Sequence, residues 1–165
     1  MFPFFGTISP VHSEHKHLVH LQPFSRHPTV FLTVVTHHRR PLLACHEAYA
    51  VLVGIWNRSP VADGWFVGRF IVMPDHVHLF ARPSADAKLL AHWIQTWKSL
   101  SSRQITALLK ITPPLWQKDY FDRFLRSADN YQGKWNYVVM NPMRKRLCSR
   151  PAEWPWQGEL TELRF

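Results

Sequence analysis

The chain has 165 residues, of which 46% are hydrophobic and 14% aromatic, and a formal net charge of +9. That size and composition predict one globular domain with a real core and exclude a disordered or low-complexity protein. No run approaches the roughly 20 apolar residues of a membrane helix, and two cysteines, Cys45 and Cys148, cannot build a disulfide framework or a zinc knuckle.

The opening Met-Phe-Pro-Phe-Phe-Gly lacks the basic start and cleavage site of a signal peptide, so a cytoplasmic protein with no membrane role is expected. Eleven basic residues against three acidic ones lie between Lys98 and Arg150, a bias that suits a polyanion such as nucleic acid or simply keeps a surface soluble. Residues 1–28, with His12, His15, His17, His20 and His27, show little periodicity and read as a poorly ordered extension.

The elements then follow in order. Thr29 to Thr36 is dense in β-branched residues and predicts a strand. Leu42 to Trp56 carries apolar residues at near-helical spacing and is expected to end at Asn57-Arg58-Ser59-Pro60. Trp65 to Val72 and His76 to Arg82 predict two strands joined through Met73-Pro74-Asp75. Pro83-Ser84-Ala85-Asp86 starts a helix whose apolar face is Leu90, Trp93, Ile94, Trp97 and Leu100. After the break at Thr112-Pro113-Pro114, Trp116 to Leu125 predicts a fourth strand. Ser127 or Asp129 then caps a last helix carrying Tyr137. The order strand, helix, strand, strand, helix, strand, helix predicts an α+β fold: a ferredoxin-like four-stranded antiparallel sheet with two helices on one face. The other face is left for a site that the last helix can reach.

His76 and His78 stand two apart in a strand, so their imidazoles share a face and together could hold a metal ion. A lone His-Val-His is equally a pair of histidines on a wet strand surface. Tyr137 and Asn141 are four apart, which on a helix places a phenol and an amide on one side. A phenol is a weak nucleophile at neutral pH until it is activated, and a divalent ion can polarise a phosphate for it. Tyr137 could instead be a half-buried helix residue, and Asn141, preceding Pro142, could cap a turn, although a kink there would still leave its side chain aimed at the metal. Tyr120 and Tyr131 are rival nucleophiles. Asp122, Arg123 and Arg126 either position phosphates or form a solvated strand edge. Arg103, Lys118, Arg123, Arg126, Lys134, Arg144, Lys145 and Arg146 make up a pool of DNA contacts, with aromatic rings available to stack unpaired bases.

Several segments in order resemble the REP-associated tyrosine transposases, a branch of the single-tyrosine HUH transposases. They are Thr-Val-Val-Thr-His-His-Arg-Arg-Pro-Leu-Leu (33–43), Val-Met-Pro-Asp-His-Val-His-Leu (72–79), Trp-Gln-Lys-Asp-Tyr-Phe-Asp-Arg-Phe-Leu-Arg (116–126), Tyr-Val-Val-Met-Asn-Pro-Met-Arg (137–144) and Glu-Trp-Pro-Trp (153–156). The resemblance spans roughly residues 29–157, leaving 158–165 as a tail. It implies that Tyr137 is the nucleophile and that His76, His78 and Asn141 hold Mg²⁺ or Mn²⁺. It further implies cleavage and rejoining of single-stranded DNA near REP-like hairpins through a 5′-phosphotyrosine, by a monomer or a homodimer. A catalytically inactive member of the same fold that binds structured DNA or RNA is the alternative. The chain departs from the family after Asn-Pro, where a glycine is usual and Met143-Arg144-Lys145-Arg146-Leu147 stands here.

Overall fold

A computed structural model describes residues 28–165; the expected N-terminal extension lies outside the described residues. An antiparallel sheet in the order β4-β1-β3-β2-β5 is built from β1 (Thr29–Val35), β2 (Trp65–Val72), β3 (His76–Pro83), β4 (Phe121–Leu125) and β5 (Gln157–Glu159). The helices are α1 (His46–Asp63), α2 (Leu90–Leu109), α3 (Ala128–Val139) and the single turn α4 (Asn141–Arg144). Among the described residues no helix is long and apolar enough to cross a membrane.

The sheet has five strands where four were expected. The fifth comes from the closing segment, which turns back at Pro151–Glu153 and pairs with Arg69–Ile71 of β2. Two anchors hold it there. Trp154 is buried and its Nε1 donates to the Val72 carbonyl at 3.0 Å. Leu163 lies over Gly68, where an added Cβ would come within 2.6 Å of its side chain.

Three other boundaries differ from expectation. α1 runs through Pro60 to Asp63 and stops at Gly64, whose left-handed φ of 75° ends the helix as glycine readily does. Pro60 has no N–H to give the Trp56 carbonyl, so the helix forgoes one bond just before it ends. α2 begins at Leu90, since Ser84 bonds back to Gly64 and Lys88 to Asp63, which spends residues 84–88 on a turn. The fourth strand starts only at Phe121. Trp116 makes a single bridge to Thr36, and Lys98 Nζ holds the Gln117 and Lys118 carbonyls away from the ladder.

Side chains of the strands alternate between two faces. Val30, Leu32, Val34, Val77, Leu79 and Ala81 enter the large core under α1 and α2. There Trp65 stacks on Trp93 at 4.8 Å, while Trp93 and Trp116 each donate an indole N–H to a buried serine, Ser59 and Ser101, at 2.9 Å. Phe31, Ile71 and Phe80 enter a smaller cluster with Tyr131 and Val138 of α3. The second face is therefore partly covered by α3 and open beyond it. Ser127 caps α3, its hydroxyl accepting from the Asn130 N–H at 3.2 Å.

Candidate active site

On the open part of that second face, β1 and β3 set Thr33 opposite His78 and Val35 opposite His76. The two imidazoles converge, with Nε2 to Nε2 at 3.1 Å. Each ring is gripped from behind: Asp75 Oδ1 lies 2.6 Å from His76 Nδ1, and Thr33 Oγ1 lies 2.8 Å from His78 Nδ1. With Nδ1–H given to those oxygens, both Nε2 lone pairs face one point. Arg39 braces the other Asp75 oxygen at 3.1 Å.

Burial, aided by the charges of His76 and Lys134, pushes the His78 pKa down to about 3. Burial also lowers His76, against the raising effect of Asp75. Both rings are thus neutral at neutral pH, the form that can bind a metal. Burial would raise Asp75, but the bonds from His76 and Arg39 prevail and its pKa is lowered, so it stays a carboxylate.

Asn141 closes the group, its Nδ2 3.2 Å from His78 Nε2. It does not share a continuous helix with Tyr137. α3 ends at Val139 and α4 opens at Asn141 with Pro142 in its first turn, because proline suits a helix start and breaks a helix interior. The N-cap of α4 is Met140, and the Asn141 side chain takes other partners. It is spent on His78 and on Arg144, whose Nη1 donates to Asn141 Oδ1 at 3.2 Å and to the Tyr137 carbonyl at 2.8 Å. The kink and the arginine together do what a straight i, i+4 pairing was expected to do.

Tyr137 is 59% exposed, and the Arg144 guanidinium sits 4.2 Å from its ring centre. The rivals are committed elsewhere. Tyr131 is buried, its ring 4.6 Å from Phe80, and Tyr120 packs at the edge of the large core.

The expected basic pool divides. Lys134 of α3 lies 5.0 Å from the Phe31 ring and 6.0 Å from the Tyr137 ring, and Arg144, Lys145 and Arg146 follow the kink. Lys145 is close enough for its charge to lower His76. Arg123 pairs across from Phe31 and so points to the histidine face. Arg126 is exposed just past β4, and Lys118 is exposed in the segment before it. Arg103 is not with them. It lines a shallow groove on the outer side of α2 with His92 and Gln95, across the sheet from the histidines.

Three contributors escaped the sequence reading. Thr33 read as a β-branched strand residue and Asp75 as turn chemistry, yet they fix the two imidazoles. Phe121, 51% exposed, stands opposite Thr33 at the sheet edge. Strand alternation carried the signal for Thr33: it is the polar residue on the face opposite Val30, Leu32 and Val34.

Among the described residues no group of three or more His, Cys, Asp or Glu is placed to hold a metal. The Asn141 amide is the polar side chain that stands against the histidine pair and could offer an oxygen beside it. Two neutral imidazole nitrogens and one amide oxygen suit Mn²⁺, and Mg²⁺ would lean more on phosphate and water oxygens.

No protein-family model matches the chain, and no curated protein does. Solved structures do. A REP-associated tyrosine transposase bound to a REP hairpin is similar with a TM-score of 0.62 and 19% identity, covering 82% of this chain and 88% of that one. A Deinococcus radiodurans R1 protein described as a candidate transposase is similar with a TM-score of 0.52 and 21% identity, covering 70% and 90%. These likenesses show the fold: the chain has the architecture of a REP-associated tyrosine transposase.

Proposed function

We propose that this chain is a divalent-metal-dependent strand transferase that cleaves and rejoins single-stranded DNA beside hairpins, with Tyr137 as nucleophile. The observation that carries the reading is the meeting at His78 Nε2 of His76 Nε2, at 3.1 Å, and the Asn141 amide, at 3.2 Å, with an exposed tyrosine on the helix leading into Asn141. Buried strand histidines of purely structural use have no need to aim two lone pairs at one point. The ferredoxin-like reading of β1 to β4 belongs to the same proposal, with β5 as an addition at the β2 edge.

His76 Nε2, His78 Nε2 and Asn141 would hold Mg²⁺ or Mn²⁺, which when bound polarises the phosphoryl oxygens of the scissile bond. The rest falls to the chain itself. The Tyr137 oxygen attacks phosphorus and forms the Tyr–O–P bond. The bond to the upstream 3′ oxygen breaks, and that oxygen leaves as a 3′-OH after taking up a proton. One phosphodiester replaces another, so the reverse attack by a 3′-OH rejoins strands without water or a nucleotide cofactor. Asp75 and Thr33 keep the imidazoles oriented. Lys134, Arg144, Lys145, Arg146 and Arg123 neutralise phosphates, and the exposed Phe121 ring offers a surface for an unpaired base. Asn141 reaches His78 of the same chain, so the three ligands come together within one copy. Cys45 and Cys148 are free thiols, in keeping with action in the cytoplasm.

The test is a labelled single-stranded hairpin oligonucleotide incubated with the protein and Mg²⁺ or Mn²⁺. A denaturant-resistant protein–DNA adduct is expected, and it should vanish in Tyr137→Phe. Tight hairpin binding with no adduct under either metal would make the chain a binding module instead.

A further inference from the structure

Arg144 entered the argument as a phosphate contact, yet its guanidinium is already engaged. Nη1 donates to Asn141 Oδ1 at 3.2 Å and to the Tyr137 carbonyl at 2.8 Å, and Cζ lies 4.2 Å from the Tyr137 ring centre. A guanidinium can only donate hydrogen bonds, so the amide atom facing it must be oxygen. The amide nitrogen then faces the histidines, and it does so, 3.2 Å from His78 Nε2. That nitrogen is a donor, and it meets a lone pair there when the Thr33 hydroxyl accepts the His78 proton on the Nδ1 side. The Arg144 end thus selects one orientation of the amide, and in it the oxygen is turned away from the histidine pair.

We propose that Arg144 is a latch on Asn141: it holds the amide in a closed orientation that competes with a divalent ion. Letting go frees the guanidinium, beside the Tyr137 ring, to take the scissile phosphate. The inference rests on the reading of His76, His78 and Asn141 as a metal site. For the amide oxygen to join the imidazole nitrogens the amide must turn over. Its NH₂ would then face the Arg144 N–H, donor against donor, so the arginine cannot stay. Arg144 is exposed to solvent. Once free, its planar fork suits two oxygens of one phosphate. Arg144 is in this sense a positioning residue for Asn141 until DNA arrives.

The latch predicts a split that a simple DNA contact does not. Mn²⁺ binding to the metal-free, DNA-free full chain is measured by titration calorimetry for wild type, Arg144→Lys, Arg144→Met and Lys145→Met. Lys145→Met removes a positive charge near His76 without touching Asn141, and so controls for charge alone. Arg144→Met should bind Mn²⁺ about tenfold tighter than wild type, the worth of one lost charge-assisted bond, with Arg144→Lys in between and Lys145→Met changing by less than about threefold. In single-turnover cleavage of a hairpin oligonucleotide at saturating Mn²⁺, Arg144→Met should nonetheless be slower by at least about thirtyfold, the loss expected for a charged phosphate contact. The latch is overturned if Arg144→Met binds Mn²⁺ no tighter than wild type, or gains only what Lys145→Met gains. If wild type and every variant fail to bind Mn²⁺, the metal-site reading falls and takes the latch with it, a result distinct from unchanged affinity among binding proteins.

Discussion

The two faces of the sheet are written by the same strands and do opposite work. On the face under α1 and α2, β1 and β3 present Val30, Leu32, Val34, Val77, Leu79 and Ala81 to a continuous apolar core filled by Trp56, Trp93 and Trp97. On the face under α3, the alternate positions carry Phe31 and Phe80, then Thr33, His76 and His78. The first face spends its area on stability. The second is packed where Tyr131, Val138, Trp154 and Leu163 cover it, and past that point its polar groups hold one another in place. Placing chemistry on alternate residues of a strand whose other residues are fully buried gives the site a rigid back wall.

The comparison makes an experimental division. Substitutions on the open face should change chemistry at nearly constant stability, and those on the packed face the reverse. The largest effect is the loss of adduct in Tyr137→Phe. An exposed ring contributes little to folding, so the same variant should melt within about 0.5 kcal/mol of wild type. Next is Trp93→Ala. It deletes a fully buried indole stacked on Trp65 and leaves Ser59 without its donor. Urea denaturation should show a loss of about 3–5 kcal/mol. Below its own melting point that variant should still form adduct at close to the wild-type rate. If it does not, the two faces are coupled and the division fails.

A smaller effect tests the support behind the histidines. Asp75→Ala removes the acceptor that sets the His76 tautomer and the partner of Arg39, while leaving the strand pairing alone. Mn²⁺ affinity should fall about 10–100-fold, as for other groups that orient a metal-ligating histidine. An unchanged affinity would mean that packing alone orients the ring.

The packed face was the easier one to read from sequence. Its strands and the Trp93, Ile94, Trp97 stripe of α2 announce themselves by period. The histidine pair, Tyr137 and Asn141 were legible as residue types at meaningful spacing. A kink before Pro142 that keeps Asn141 aimed at the histidines was legible too, but Arg144 bridging that break was not, because a guanidinium's partners depend on the local turn. β5 was missed because three residues, Gln157-Gly158-Glu159, carry no strand pattern of their own and are paired through anchors on either side. Arg103 was grouped with the DNA contacts on charge alone, which says nothing about which side of a sheet a helix lies on.

The smallest predicted effect comes from the stretch after Asn-Pro, where the sequence departs from the family it resembles. The chain after Asn-Pro ends α4 in a Schellman turn. The Leu147 N–H bonds the Pro142 carbonyl at 2.9 Å, and the Arg146 N–H bonds the Met143 carbonyl at 2.8 Å. That turn needs a left-handed residue, and Arg146 fills it with φ at 57°. A glycine would sit there without its Cβ crowding the backbone, which is the physical sense of the glycine the family usually keeps in this stretch. Arg146→Gly should therefore stabilise the chain by about 1 kcal/mol or less, the relief of left-handed strain being offset by the greater freedom of glycine in the unfolded chain. The same change removes one positive charge beside the site, so hairpin binding should weaken and its salt dependence should fall by about one phosphate contact. A variant both more stable and weaker in binding would show that this chain keeps an arginine in a glycine's place for its charge. A variant of unchanged binding would show that the open face ends before residue 146.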